Sequence, residues 1–542
     1  MSQAELKKRI IKTLMSKDIL VTEEILDRLD HVERLEDDDM ISRLEVDNTL
    51  ILDDDFYEKI SYGNTQTKKS YDWNITELPT KSDDKDVATN ESDNSADDES
   101  DEESKVKVIY SYKGTPKKRE VSDFSQLFKR RYYAIMNILR GRKEMDNILS
   151  ISRLSSKPQK ESVAFVGMVS DKSLTANGNV ILTIEDDTDL IKVVITKNNQ
   201  ELFKIANDIV FDEVIGITGM MGDNIVFANN IIFPDVPLSK ELKKSPKDEY
   251  VIFISDLHFG SKYFMWEEWN KFVRWLSGEI GNDKHKEIIN KIKYMVIGGD
   301  VVEGIGTYPG QENDLTTKDL YDQYDLFMNE FKKFPKDMKK IIIPGNHDAV
   351  RIADPQPPIP EKYMKEAYDM PEVYMLSSPS IVNIGACEGF DGLDLLLYHG
   401  YSFPYYAETI PSIRDNGGMK RADLISKFYL QRRHLGITHN ALQYVPDSHD
   451  ALFISQVPDV LVTGHIHRTV ADMYRNVTIL NCSTWLSMTD YQEKVGLEPQ
   501  PARAILMSMK TRRIKILNFN KKDEENKDEE NKEEETKRGG EA

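Results

Sequence analysis

The sequence predicts a multidomain α/β protein, in which a small β-barrel precedes a larger domain of buried strands alternating with helices. Three observations predict it. Five apolar, β-rich runs are spread over residues 248–520, each ending in polar residues and separated by helical stretches. Five shorter strand-like runs crowd into residues 156–240, parted by Asn-Gly, Asp-Asp and Gly-Asp pairs. The chain has 542 residues, too many for one core when domains run to roughly 100–200 residues.

Residues 1–75 come first. Ile10, Ile11 and Leu14, then Ile25, Leu26 and Leu29, recur at three-to-four spacing and mark apolar helix faces, so a small helical module is expected. Residues 76–107 are rich in Asp, Glu, Ser, Asn and Lys. They offer too little apolar surface to offset chain entropy, and a disordered acidic linker is expected. Residues 108–155 turn basic and amphipathic. Lys117, Lys118, Arg119, Lys129, Arg130, Arg131, Arg140, Arg142 and Lys143 are interleaved with Phe124, Leu127, Phe128, Ile135 and Leu139. The apolar set fits one face of a helix. The basic set reads either as a phosphate-contacting surface or as the solvated side of a helix docked on its neighbour. Charge runs usually mean the second.

The runs SVAFVGMVSD, NVILTIEDD, LIKVVITK, FDEVIGITGMM and NIVFANNIIF then follow. Five short strands in so few residues suit a small Greek-key barrel such as an OB-fold. OB-folds often bind single strands on aromatic platforms. These strands carry essentially Phe165, Phe211 and Phe227, so a barrel that docks a protein partner is at least as well supported. The connection DVPLSKELKKSPKDEY, residues 235–250, is short and holds two prolines. Barrel and following domain are therefore expected to move as one body.

Residues 248–520 contain YVIFISD, YMVIGGD, KKIIIPGN, LDLLLYHG and DVLVTGH. Continuous apolar strands of this kind are buried on both faces and put functional loops at their carboxyl ends. Residues 521–542, with a DEENK repeat, read as a disordered acidic tail. The formal net charge of −21 argues against a nucleic-acid partner until its distribution is considered. Eleven acids lie in residues 81–104 and ten in residues 521–542, solvated tracts that say little about a binding surface. Two cysteines, Cys387 and Cys482, are too few for a disulfide framework or a zinc ribbon. No apolar run approaches a membrane span, and the first residues lack the apolar core of a signal peptide. A soluble cytoplasmic chain with no membrane partner is expected.

The strand ends carry the chemistry. They present Asp256 and His258 in SDLHFG, Asp300 in GGDVVEG, Asn346 and His347 in PGNHD, His399 in LLLYHG, and His465 and His467 in TGHIH. All but His347 are candidate metal ligands. Two divalent cations about 3.5–4 Å apart can clamp the attacking and leaving oxygens of a phosphate displacement. Such a pair needs a bridging carboxylate, for which Asp300 is placed, and flanking imidazole and amide donors. In Asp-x-His and His-x-His an extended backbone sends both side chains to one face. Mixed ligation of this type suits Mn²⁺ or Fe²⁺ and tolerates Zn²⁺. Any one histidine is more often a packed or surface residue, and Pro-Gly-Asn-His-Asp alone reads as a turn. Five of the ten histidines at the ends of strand-like runs outweigh that reading. His31, His285, His434, His439 and His449 lack this setting.

The succession D-x-H, G-D, G-N-H-D, H-G, G-H-x-H over residues 256–467 resembles the calcineurin-like metallophosphoesterase superfamily. The resemblance implies a four-layer α/β/β/α sandwich. It implies one metal on Asp256, His258 and His467, a second on Asn346, His399 and His465, and Asp300 bridging both. His347 would not ligate but would stabilise the transition state and protonate the leaving oxygen. More narrowly, DLHFGSKYF, GDVVEGIGTYPGQE, PGNHDAVRIADPQP and NCSTWLSMTDYQ, with the domain order, resemble the small subunits of archaeal family-D DNA polymerases. That resemblance implies a 3′→5′ proofreading exonuclease acting on DNA, a large catalytic polymerase subunit as partner and a sliding clamp as accessory factor. Related eukaryotic B-subunits share the domain order but have lost ligands, whereas no ligand position is substituted here. The competing readings are a catalytically weak scaffold subunit and a stand-alone metallophosphatase. LQRRHLGITHN looks like a diverged basic motif of the family, which makes Arg432 and Arg433 candidate DNA contacts, together with Arg351 after GNHD.

Overall fold

In this computed structural model the described residues are 105–114, 118–447, 449–494 and 496–520. The expectations for residues 1–75, for the linker up to residue 104 and for the tail 521–542 lie outside them.

The apolar runs pair as expected of buried strands. Tyr250–Ile254, Ile292–Ile297 and Lys339–Ile342 pair in parallel. Val373–Met375 on one side, and Arg503–Ser508 with Ile514–Asn518 on the other, complete a six-stranded sheet. A second six-stranded sheet runs Lys105–Ser111, Ser380–Ala386, Leu393–Leu397, Val460–Thr463, Val477–Asn481, Val470–Tyr474 from edge to edge. Alternation along the strands decides what each face meets. Val251 and Phe253 join Val382, Leu395, Leu397 and Val462 in a core between the sheets. Ile252 and Ile254 face the opposite way, toward Trp269 and Phe272 of helix Trp266–Leu276 and Phe327 of helix Leu320–Phe331. On the far side Leu396 and Leu461 pack on Tyr406 of helix Phe403–Thr409 and on Ile425 and Tyr429 of helix Ala422–Arg432. Helix, sheet, sheet and helix layers thus form an α/β/β/α sandwich. Each large side chain so buried contributes about 1.5–3 kcal/mol.

The barrel is closed by Ser162–Leu174, Val180–Glu185, Leu190–Ile195, Ile225–Ile232 and Val214–Met221 in that spatial order. Phe165, Leu182, Val193 and Ile217 fill it. An unanticipated helix, Gln200–Asn207, packs Leu202 and Ala206 into the same core. Its N-cap is Asn199, whose Oδ1 accepts from the Leu202 N–H at 3.2 Å.

One boundary needs correction. Residues 105–107, placed in the linker, and 108–111, placed in the basic segment, form one strand, antiparallel to Ser380–Ala386. The acidic stretch just before it hides KVKVIYS, and its partner is distant in sequence. The basic segment proper forms helix Val121–Arg140, docked on its neighbour as the second reading of its charge run has it. Tyr132, Ile135 and Leu139 pack on Val166, Val214 and Ile232 of the barrel. Arg131 lies on the buried face. Its Nε donates to Asp450 Oδ2 at 2.8 Å, and Nη1 donates to the Ile437 carbonyl at 2.7 Å.

The connector after the barrel is stitched to the sandwich along its length. Tyr474 donates to Asp235 at 3.0 Å, Asn476 to the Lys240 carbonyl at 2.8 Å and Arg512 to the Lys243 carbonyl at 3.0 Å. Lys240 pairs with buried Asp459, and Val236 belongs to the sandwich core.

Candidate metal centre

Strand Tyr250–Ile254 stops just short of Asp256, and the expected extended backbone does not follow. Asp256, His258, Asp300, His465 and His467 all take left-handed backbone, with φ of +51°, +54°, +48°, +70° and +54°. Chirality disfavours this for residues with a Cβ, by roughly 1–3 kcal/mol each. Sharp reversals at the strand ends, rather than strand alternation, aim these side chains into one pocket. Local hydrogen bonds hold the reversals: Asp256 N–H donates to the Gly299 carbonyl at 2.9 Å and His258 N–H to the Asp300 carbonyl at 3.0 Å. Two glycines make room. A Cβ on Gly345 would lie 2.2 Å from Asp300 Oδ1, and one on Gly464 would lie 2.5 Å from Asp256 Oδ2.

The donors form a continuous chain. Asp256 Oδ1 is 3.4 Å from His467 Nε2, which is 3.2 Å from His258 Nε2. His258 Nε2 is 3.8 Å from Asp300 Oδ2, which is 3.2 Å from His399 Nε2. His399 Nε2 is 3.1 Å from Asn346 Oδ1. Asp300 therefore sits mid-chain. The His465 and His399 rings are 5.2 Å apart, and Asp300, His399 and His465 offer ligand atoms within 4.8 Å of one another. Asp256, His258 and His467 form a second such group, and His258, Asp300 and His347 a third. Asp256, His258, Asp300 and His399 are buried. Among the described residues only imidazoles pair with Asp256 and Asp300; no lysine or arginine does. Buried carboxylates without a fixed cation, ringed by imidazoles and an amide, fit divalent cations.

The charges inside the pocket are strongly biased. Burial alone would lower His399, but the Asp300 carboxylate outweighs it and pushes the imidazole up to about 10. His465 is pulled down to about 3, by burial and then by the charge on His399. His347 is held above its ordinary value, because Asp300 and Glu303 outweigh burial. Asp348 is pushed up to about 7, by burial and by Asp300. It accepts from the Gly345 N–H at 2.8 Å and from Tyr324 Oη at 3.1 Å, which ties down the turn carrying Asn346 and His347.

Residues 250–469 match the family model described as calcineurin-like phosphoesterase. The chain is 38% identical over 382 residues to the DNA polymerase II small subunit of Archaeoglobus fulgidus, covering 70% of this chain and 74% of that one. It is 35% identical over 402 residues to the DNA polymerase II small subunit of Methanothermobacter thermautotrophicus, covering 74% and 80%. The chain belongs to the DNA polymerase II small subunit family. With the Pyrococcus furiosus small subunit the identity is 34% over 406 residues, covering 74% of this chain and 64% of that one. No helix of the described residues is long and apolar enough to cross a membrane.

In this member of the small subunit family, Asp256, His258, Asp300, Asn346, His347, His399, His465 and His467 lie together in the pocket. The three arginines do not join them. Arg432 is 5% exposed, bonded to Glu213 of the barrel at 3.0 Å and set over the Phe428 ring at 3.7 Å. Arg433, 4% exposed, donates to the Ile454 and Ser455 carbonyls at 2.8 and 2.7 Å. Both are structural, which corrects their reading as DNA contacts. The helix Ala422–Arg432 ends there, and its last residues turn into the barrel seam. Arg351 donates to the Pro355 carbonyl at 2.6 Å and lies 4.9 Å from the Tyr112 ring, so it shapes its own loop.

Two supporting side chains escaped the sequence. Glu303 Oε2 is 3.1 Å from His258 Nδ1, and its backbone carbonyl is 2.7 Å from His347 Nδ1. Its one signal is an acid three residues after Asp300. Gln492 meets His467 Nδ1 at 2.7 Å; it ends the run NCSTWLSMTDYQ, which gives it no role by itself.

Proposed function

We propose that this small subunit is the proofreading 3′→5′ exonuclease of its polymerase, hydrolysing DNA phosphodiester bonds with two divalent cations. Mn²⁺ suits the donors best, with Fe²⁺ or Zn²⁺ as alternatives. A large catalytic polymerase subunit, DNA and a sliding clamp are the partners this reading entails. The observation that carries it is the continuous donor chain from Asp256 to Asn346, with buried Asp300 in its middle.

Cations bound there supply positive charge to the phosphate and the departing oxygen. Asp256, His258 and His467 hold one end of the chain, and Asn346, His399 and His465 the other. His347 gives its Nδ1–H to the Glu303 carbonyl, 2.7 Å away, leaving Nε2 to move a proton. Asp300 and Glu303 favour the imidazolium, so Nε2–H can pass to the departing 3′-oxygen.

The test uses end-labelled single-stranded DNA, the purified chain with and without its large subunit, and Mn²⁺. Stepwise shortening from the 3′ end, absent in Asp300→Asn, is the expected result. Internal cuts, shortening from the 5′ end, or intact strands would each overturn the reading.

A further inference from the structure

His467 is held from two sides. Its Nε2 faces Asp256 and His258, at 3.4 and 3.2 Å. Its Nδ1 lies 2.7 Å from the side-chain amide of Gln492, which is 7% exposed. The same amide carries a second duty. Gln492 Oε1 accepts from the Thr489 N–H at 3.1 Å, and Thr489 Oγ1 accepts in return from the Gln492 N–H at 3.2 Å. The segment around it is bound to the centre as well. Thr484 Oγ1 donates to the Asp256 carbonyl at 2.9 Å, and Gln500 N–H donates to the His467 carbonyl at 2.9 Å.

These contacts set up a competition. A neutral imidazole carries one N–H. To offer the Nε2 lone pair to a cation, His467 must carry its hydrogen on Nδ1, and that N–H then needs an acceptor. The Thr489 N–H needs an acceptor too. A glutamine amide has one oxygen and one donor-only nitrogen. Turned one way it satisfies Thr489 and presents an N–H to His467 Nδ1, which selects the tautomer with hydrogen on Nε2 and closes that nitrogen to metal. Turned the other way it satisfies a metal-ready His467 and sets an NH₂ against the Thr489 N–H. No rotation of the amide serves both.

We propose that Gln492 is a positioning residue whose amide sets the tautomer of His467, so that metal binding at His467 and the Thr489 hydrogen bond compete for one oxygen. Filling the Asp256–His258–His467 position turns the amide and loosens the Thr489–Gln492 turn. The inference rests on His467 being a ligand, not on which DNA end is degraded. It separates two substitutions that a merely structural role would not. In Gln492→Glu two carboxylate oxygens serve both donors at once. In Gln492→Leu neither is served.

Mn²⁺ titration of the full chain, followed by electron paramagnetic resonance, reads the affinity. Gln492→Glu should bind the cation tighter and Gln492→Leu weaker than wild type, each by about tenfold or more. Selective ¹⁵N-histidine labelling reads the tautomer without metal. His467 should carry its hydrogen on Nε2 in wild type and on Nδ1 in Gln492→Glu. Hydrogen exchange at the Thr489 amide should speed up on adding Mn²⁺ to wild type and stay unchanged in Gln492→Glu. An unchanged His467 tautomer in Gln492→Glu would overturn the proposal even if added negative charge had raised affinity. So would equal affinities in all three proteins, or no Mn²⁺ binding by wild type. A chain that passes these tests yet releases no nucleotide sinks the exonuclease reading alone.

Discussion

The metal centre and the seam between barrel and sandwich both bury charged side chains, and they neutralise them in opposite ways. At the seam the buried carboxylates Asp450 and Glu213 each meet a guanidinium, of Arg131 and Arg432. Asp450 is held between Arg131 at 2.8 Å and His434 at 3.1 Å. Its carboxyl lies far below the usual range, because Arg131 and then His434 outweigh burial. Burial and the Arg131 charge in turn pull His434 down to about 4. At the centre, among the described residues, the carboxylates of Asp256 and Asp300 pair only with imidazoles, which can give up a proton as a guanidinium cannot. The seam is complete as it stands, whereas the centre is balanced by protons that a cation can displace. A guanidinium beside a buried carboxylate therefore marks permanent structure here, and imidazoles alone around one mark exchangeable chemistry.

The largest effect that would sharpen this contrast is expected from Asp300→Asn. Metal analysis should find the cations lost and cleavage should vanish. Without metal, stability should change little, because the imidazoles left behind can shed their protons. Retention of both metals would break the assignment. His347→Ala should come next, slowing cleavage by about 10²–10⁴-fold while metal content stays at the wild-type level. Asp450→Asn should leave Arg131 buried and unpaired, unable to lose its proton, and destabilise the fold by about 3–5 kcal/mol in chemical denaturation. A pH dependence follows with a definite sign. Since the folded carboxyl of Asp450 is depressed, its contribution is present above the ordinary carboxylate value of about 4. It is lost as pH falls below that toward the folded value. Wild type should thus lose stability between about pH 5 and pH 2 more steeply than Asp450→Asn; parallel curves would count against the pairing. The smallest effect is expected from Arg433→Ala. Its guanidinium is committed to two carbonyls, so affinity for single-stranded DNA should stay within about twofold and its salt dependence should not change.

Much of this architecture was readable from the chain. YVIFISD and LDLLLYHG betray themselves because strands buried on both faces must be apolar throughout. The polar residues that end them could only sit at loops, which brought Asp256, Asp300 and His399 into view. Three kinds of feature stayed hidden. The backbone of Asp256 and His258 is left-handed, and residue type alone announces that only for glycine. Arg131 counted among nine basic residues until packing showed it on the inner face of its helix, against Asp450. Glu303 and Gln492 act through contacts between segments far apart in sequence, and a side chain whose role is to orient another carries no spacing of its own. The strand Lys105–Ser111 was missed for the same reason.

That strand has a consequence for how the molecule is made. Ser111 pairs with Ser380, so the sandwich begins before the barrel in the chain and closes after it. A ribosome adding ~5–20 residues per second delivers the partner strand on the order of ten to fifty seconds later. The barrel can form in that interval, because its strands are contiguous in the chain. Lys105–Ser111 has to wait as an unpaired, β-prone segment, Val108 and Ile109 included. The acidic residues emerging just ahead of it would keep nascent chains apart during the delay, since like charges oppose edge-to-edge pairing.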